Sequence, residues 1–500
     1  MGWIKNMVMK MLRINPAPEN RIVNITEPLS YRTNVLRNRL WFRGDASELD
    51  QFYKQTGTDA VGKARFWAAV PSQNMTIRKI HSGMPAMIAE RLSDIVVADL
   101  EAVEVDKETA WDDISEDNDF AELLGQNIID ALVAGDGAYK ITVDTDVTKY
   151  PIIEFYSGDQ VEYIRNRGRL QEVVFFTDYT LKGKDYRLEE TYGLGYIRYQ
   201  LYDSYGKGVP LTVLPETAAL ANIEYDGKFI MAVPLMFFRS SKWEGRGKSL
   251  FDSKSDNFDA LDEVVSQWWD AIRAGRVQKY IPDDLVPKNP ETGAPMRANP
   301  FDNQFIKVGS SMAEDGKDQI TMLQPQILYE AFVGSYASAL DMCLQGVMSP
   351  STLGIDLKKT DNAEAQREKE KATLYTRGKI IDALNEVLPR LVETVLKVHD
   401  TMQSRAAGEY EVSVKFGEYA SPSFDAVVET VGKARTFGVM SVERAIEEMY
   451  GDTWTDEEKA AEVARLKAEQ GYILNEPALN RDAPPDPDDE DDEEPEVDDE

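Results

Sequence analysis

The feature that most constrains this chain is a pair of apolar-periodic stretches, residues 253–276 and 326–346, separated by a segment that can continue neither. In the first, Phe258, Leu261, Val264, Val265, Trp268, Trp269 and Ile272 recur at steps of three and four. That spacing puts them on one side of an α-helix, with Ser255 and Asp256 at its start and Gly275 at its end. Some twenty residues of helix are roughly 30 Å long. In the second stretch Leu328, Phe332, Tyr336, Leu340, Cys343, Leu344 and Val347 repeat the pattern. Between them, residues 277–325 offer only short strand-like pieces (RVQKYI, QFIKVG, QITML) among prolines and glycines. Two long helices bracketing a small β-rich insertion form an unusual layout for a compact enzyme.

The rest of the chain reads as α+β and mainly helical. Residues 30–135 are mostly helical in pattern: a capped amphipathic stretch spans Ser47 and Tyr53, and Phe120, Leu123, Leu124, Ile128, Leu132 and Val133 share one side of residues 119–134. From Tyr139 to about Arg239 the period changes to that of strands (YKITVD, IIEFY, QEVVFFTDY, YIRYQLY, FIMAVPLMFF), broken by Gly, Asp and Lys turns. After the second long helix, GVMSPSTLGIDLKKTD has the chemistry of a loop. A further long helix starts at Asp361, an N-cap with Glu364 three residues on. Glu364–Arg367 and Glu368–Lys371 are spaced for mutual support, and Leu374, Ile381, Leu384, Leu388, Leu391 and Val395 form its apolar side. Pro389 falls inside that periodicity and predicts a kink about one turn before it. A strand (YEVSVKF) then leads to a helical unit over residues 424–469, whose last helix opens on a Thr455–Glu458 capping box.

Composition removes several function classes. The 500 residues leave room for about three domains. One cysteine excludes an intrachain disulfide and a thiolate zinc site, and two histidines leave little for imidazole ligands or a Ser-His-Asp triad. A net charge of −32 argues against a broad basic face that grips nucleic acid. Residues 482–500 hold eight Asp and five Glu with no Lys or Arg; without those thirteen charges the remainder is still at −19. That terminal run buries too little to order itself and reads as a disordered tail, either solubilising or docking to a basic partner. The opening 14 residues are basic, with Ile4, Met7, Val8, Met11 and Leu12 at helical spacing, which suits a partner, the protein's own surface or a membrane surface. Asn6 stands where a myristoylation signal wants Ser or Thr. The longest uncharged apolar run, residues 229–238, contains Pro234 and is about half the ~20 residues a membrane span needs.

Short motifs add little chemistry. WEGRGKS, residues 243–249, lies between a strand and a helix like a phosphate-cradling loop, but the glycine required five residues before Gly247 is Lys242. It reads instead as a glycine-loosened approach to the next helix. Arg43-Gly44-Asp45 matches an adhesion tripeptide by chance. Asp144 and Asp146 begin like a calcium loop that lacks its glycine. His81 and His399 read as surface or cap residues and Cys343 as core. The two long helices carry more information. Residues 326–346 hold Glu330 and Asp341 and no base, and residues 253–276 hold Asp256, Asp259, Asp262, Glu263 and Asp270 against Lys254, Arg273 and Arg276. Such acidic polar faces suit either an ordinary solvated hairpin or the wall of a passage to which a polyanion does not adhere.

The C-terminal series supplies a resemblance. Phe416, Pro422, Phe424-Asp425, the run Gly438-Val439-Met440-Ser441-Val442-Glu443-Arg444-Ala445, Trp454, Asp456-Glu457-Glu458, Arg465-Leu466 and Glu469 resemble the strand, turn, helix, Gly-x-x-Ser turn and closing acidic helix of portal proteins from long-tailed double-stranded-DNA bacteriophages. Phe424, between Ser423 and Asp425, is a small departure. WFRGDASELDQFY, GKSLFDSKSDNFDALDEVVS, SPSTLG and NAEAQREKEKATLYTR are similar to further portal segments, so the likeness spans most of the chain.

The resemblance implies a portal-type fold: a wing over 1–252, stem helices over 253–276 and 326–346, a small α/β clip over 277–325 and a tunnel loop over 347–361. A kinked wing helix and strand would occupy 362–420, a crown 421–480 and an acidic tail 481–500. It implies a homo-oligomeric ring, typically of twelve subunits, at one capsid vertex of a virion assembled in the bacterial cytoplasm. Double-stranded DNA would pass through it during packaging and ejection. Terminase large subunit, head-completion or adaptor protein, and major capsid and scaffolding proteins would be its partners, with no membrane, no cofactor and no catalytic role. Lys358 and Lys359, with Ser351 and Thr352, would face DNA. Phe258, Leu261, Val265, Trp268, Trp269, Ile272, Phe332, Tyr336 and Leu340 would pack the stem. Tyr280, Arg297, Phe305 and Lys307 would meet partners at the clip. The rival readings are a nucleotide-dependent enzyme using WEGRGKS and a membrane-surface scaffold using residues 1–14.

Overall fold

Ser30 accepts a hydrogen bond from the Thr33 amide and so starts helix α1, Tyr31–Arg43. The helix stops at Gly44, whose φ of 72° is left-handed backbone that glycine adopts without penalty. The next residue, Asp45, takes the Ser47 amide at 2.7 Å and caps α2, Ala46–Thr56. The Arg-Gly-Asp tripeptide is therefore a helix stop followed by a helix start. In this computed structural model the described residues are 27–57, 60–70, 77–107, 109–275, 278–282, 285–286, 288–294, 305–308, 321–323, 326–355, 363–417, 424–451 and 454–473. The basic segment 1–14, the N-cap Asp361 and the acidic tail lie outside them. The chain divides into two compact units, Met1–Gly417 and Glu418–Glu500.

In the first unit, α3 (Met84–Ala98), α4 (Trp111–Asp117) and α5 (Phe120–Ala134) bury Ile88, Leu92, Ile114, Leu124, Ile128 and Leu132. Strand β1, Leu100–Val105, interrupts this helical region; it pairs antiparallel with β14, Val412–Phe416, from the far end of the unit. Strands β2 (Gly137–Thr142) and β3 (Ile152–Ser157) form a three-stranded antiparallel sheet with β10 (Ala232–Leu235). A second antiparallel sheet runs β4 (Val161–Asn166), β5 (Arg169–Leu181), β6 (Lys184–Gly193), β7 (Tyr196–Asp203) and β8 (Gly208–Val209), with β9 (Ile223–Glu224) beside β7. β6 escapes the sequence pattern because one of its inward positions is charged. Leu188, Glu190 and Tyr192 all face in, and Glu190 lies 3.3 Å from the Lys140 ammonium on β2. A buried ion pair can thus occupy a place that alternation reserves for an apolar residue.

The hairpin helices are α6, Ser255–Ala274, and α7, Tyr329–Leu344. Helix α8, Ala363–Met402, is 40 residues long, and Ile380, Leu384, Leu388, Leu391 and Val395 on it are fully buried. Leu374, expected on that apolar side, is 37% exposed; Thr373 and Thr376 take the inward positions in its turn. The helix runs unbroken through Pro389. Asn385, whose carbonyl loses its usual donor there, is exposed, so water can serve it. One apolar core joins Trp41, Trp67, Leu92, Phe258, Leu344 and Leu388.

The second unit holds α9 (Phe424–Thr436), α10 (Val442–Tyr450) and α11 (Asp456–Ile473). Ser441 caps α10, accepting from the Arg444 amide at 3.2 Å. Thr455 and Glu458 exchange amide hydrogen bonds of 3.0 and 3.4 Å, as the capping box requires. Among the described residues no helix is long and apolar enough to cross a membrane.

Candidate functional site

The hairpin is antiparallel, and its two ends differ. At the base, Lys254 Nζ donates to the carbonyls of Met342 (2.8 Å) and Gln345 (2.7 Å), and Asn257 Nδ2 donates to Met342 (2.8 Å). The start of α6 thereby satisfies carbonyls that the end of α7 leaves open. Phe258, Leu261, Leu340 and Cys343 are buried beside these bonds, and burial pushes the Cys343 thiol up to about 12. Asp259 accepts from the amides of Phe66 (2.8 Å) and Trp67 (3.1 Å). Burial raises its pKa, and those two amides oppose the shift. Asp262 is completely buried and accepts from Trp67 Nε1 (3.1 Å) and the Ser82 amide (2.8 Å); His81 Nδ1 lies 2.7 Å from its Oδ2. Ser266 Oγ takes the Ile80 amide at 2.9 Å.

Two expectations change here. His81 is not a surface residue: its side chain is 4% exposed against Trp41 and Asp262. Asp259 and Asp262 do not belong to an acidic outer face, because they turn inward to bind Phe66, Trp67, His81 and Ser82. The acids that remain on outer or half-buried positions of the pair are Asp256, Glu263, Asp270, Glu330 and Asp341, and Asp256 is paired with Arg65 at 2.9 Å.

Towards the tip, Trp268 lies parallel to Phe332, with ring centroids 6.3 Å apart and planes 4° from coincidence, and Tyr329 and Tyr336 meet it at an angle. Val265 is half-buried. Trp269 and Ile272, expected in the packed seam, are 54% and 39% exposed. Each α-helical residue turns about 100°, so the residue after Trp268 faces away from α7. Ile327, Leu328 and Tyr329, at the start of α7, are exposed as well. Beyond the tip, β11 (Gln278–Pro282) lies between β12 (Phe305–Val308), parallel to it, and β13 (Thr321–Leu323), antiparallel. Tyr280 is half-buried on β11, in register with Ile306 and Thr321. Phe305 and Lys307 sit on β12 opposite Lys279 and Ile281; Arg297 lies outside the described residues.

The chain leaves α7 into a segment that is anchored at first. Val347, Met348 and Ser349 are buried. The Ser349 amide donates to Thr373 Oγ1 (2.9 Å), and Thr376 Oγ1 donates to the Val347 carbonyl (2.6 Å). Thr352 hydrogen-bonds Thr373 at 2.8 Å, so its hydroxyl is turned to α8, and Ser351 Oγ is buried. Lys358 and Lys359 lie outside the described residues.

WEGRGKS is a structural joint. Arg246 grips the fully buried Asp136 with two nitrogens (2.7 and 3.0 Å), stacks its cation 4.1 Å from the Tyr31 ring and donates to the carbonyls of Gly158 and Val161. The Gly247 amide also donates to Asp136, at 2.6 Å. A Cβ on Gly247 would stand 2.0 Å from the Gly135 carbonyl oxygen, so the glycine serves a close backbone approach. The loop is locked rather than loosened, and that amide is not free for a phosphate. Among the described residues no His, Cys, Asp or Glu cluster could hold a metal.

No protein-family model matches the sequence, and neither does any curated protein. Among solved structures the chain is similar to a chain of the virion of the native gene transfer agent (GTA) particle, at 13% identity and a TM-score of 0.39, over 76% of this chain and 89% of that one. It is also similar to a chain in the neck of the native GTA particle computed with C12 symmetry (13%, 0.39, 76% and 90%). A chain in the neck of the empty GTA particle computed with C6 symmetry is a further likeness (14%, 0.37, 77% and 91%).

Proposed function

We propose that this chain is a portal subunit: copies close into a ring whose α6–α7 hairpins line a passage for double-stranded DNA. The observation that carries the reading is the uncovered apolar tip, where Trp269 and Ile272 on α6 and Leu328 and Tyr329 at the start of α7 stand exposed at the end of the hairpin that holds the Trp268–Phe332 stack. A soluble chain seldom leaves such a group of large apolar side chains in water unless something covers it. A ring supplies the cover, since each subunit presents one face to a different face of its neighbour and the rotation closes. The layout of two helices with a small three-stranded sheet beyond their tip, then an anchored segment leading to a lysine pair, also suits such a subunit.

In this reading Glu263, Asp270, Glu330 and Asp341 keep the passage from adhering to a polyphosphate thread, because like charge repels and no counterions are released. Lys358 and Lys359 brush the DNA, and the sheet around Tyr280 meets the packaging motor and later the adaptor. The locked Gly247 amide disfavours the nucleotide-enzyme alternative. The test is sedimentation with class-averaged images of the purified full chain. Closed rings with a central opening are expected; a monomer at every concentration and salt tried would sink the proposal.

A further inference from the structure

A cleft of about 690 Å³ opens between the 237–239 segment, the approach to α6, the root of the segment after α7 and the side of α8. Four cations line it, Arg239, Lys248, Lys254 and Lys379, and no Asp or Glu does. The chain as a whole has 88 acids against 56 bases, so four bases together without an acid run against its composition. Arg239, Lys248 and Lys379 form no ion pair among the described residues. Lys254 spends its ammonium on the Met342 and Gln345 carbonyls. Burial lowers its pKa; Cys343 opposes that shift, and the nearby Lys248 adds to it.

A single carboxylate would neutralise only part of that charge. Several phosphate groups would neutralise it all, with an arginine fork and lysine point charges suited to their oxygens. The volume lies within the roughly 300–1,000 Å³ common for ligand sites. The geometry points to a phosphate-binding site in this cleft, taking at least two linked phosphates from either a nucleic-acid backbone or a free polyphosphate. The cations are side chains around a groove, unlike a backbone amide cradle. Gly346 and Val347 form one wall, so an occupant ties the root of the segment after α7 to α8 and to the start of α6. The site does not depend on ring formation, so its failure and that of the portal reading are separate results.

The test titrates the full chain with tripolyphosphate, with a short DNA duplex and with polyglutamate of matched charge, at low salt. Tripolyphosphate is expected to bind, and Lys248→Ala with Lys379→Ala to weaken it roughly tenfold or more, while Lys184→Ala on the distant sheet leaves it unchanged. If the duplex loses affinity in the same variant, the nucleic-acid backbone is the source; if only tripolyphosphate does, free polyphosphate is. Should the double variant fail to fold, Arg239→Gln, at an exposed position, gives the same reading alone. Absence of tripolyphosphate binding, equal binding by the variants, or polyglutamate binding as tightly as tripolyphosphate would overturn the assignment.

Discussion

The base and the tip of the α6–α7 hairpin are built from the same kinds of residue and end in opposite states. At the base the acids and the ammonium singled out above have partners within the chain, while the buried His81 Nε2 has none: Asp262 has three, Asp259 two, and Lys254 closes the carbonyls of α7. At the tip one aromatic stack is satisfied and a second apolar group beside it is not. The hairpin is thus anchored at its base and leaves apolar surface open at its tip.

The largest effect should come from breaking the base. Asp262→Ala leaves His81 and the Trp67 indole N–H buried without their acceptor, and a melt of the full chain should register a loss of about 3–5 kcal/mol. A melt like that of the wild type would mean the base is not the rigid end. Next comes Trp268→Ala, which removes a half-buried ring stacked on Phe332; about 2 kcal/mol is expected in the same measurement. Trp269→Ala should barely move the monomer, within about 0.5 kcal/mol, yet shift sedimentation towards smaller species. Equal behaviour of the two tryptophan variants in both measurements would erase the distinction between seam and outer face.

The smallest effect sharpens the contrast through pH. The Lys467 ammonium hydrogen-bonded to Glu443 holds that carboxyl down at about 2, below its usual 4.5, on the exposed surface of the second unit. The folded state therefore holds this proton less tightly than the unfolded chain does. Its stabilisation is present above about 4.5 and lost as pH falls towards 2. Asp259 works the other way: its raised pKa makes its contribution fall as pH climbs through the folded value. Glu443→Gln should remove the acid-side loss of helicity in the second unit, and Asp259→Asn should leave that loss in place; circular dichroism at low pH distinguishes them.

Much of the helical plan is local and so was readable. The steps of three and four through Phe258 and Leu261, the Thr455–Glu458 box and the apolar setting of Cys343 need only neighbours one or two turns away. Asp259 and Asp262 were misread because their partners lie about 180–195 positions earlier in the chain. An acid that turns inward looks, in a string of letters, like one that turns out. Trp268 and Trp269 are adjacent and chemically identical, and only the place of Phe332 separates them. The basic cleft was invisible for a similar reason: Lys379 joins Arg239, Lys248 and Lys254 from more than a hundred positions further along the chain.

By itself the sequence determined where most of the helices and many of the strands run and, for the long helices, much of which side is apolar, because periodicity and capping act over a few residues. It also determined that the chain is too acidic to hold polyanions over its whole surface. Only the tertiary structure decided which acids are buried, which tryptophan stays in water and where positive charge collects. Those outcomes depend on the desolvation and pairing of groups far apart in the chain, and residue order does not encode such distances directly.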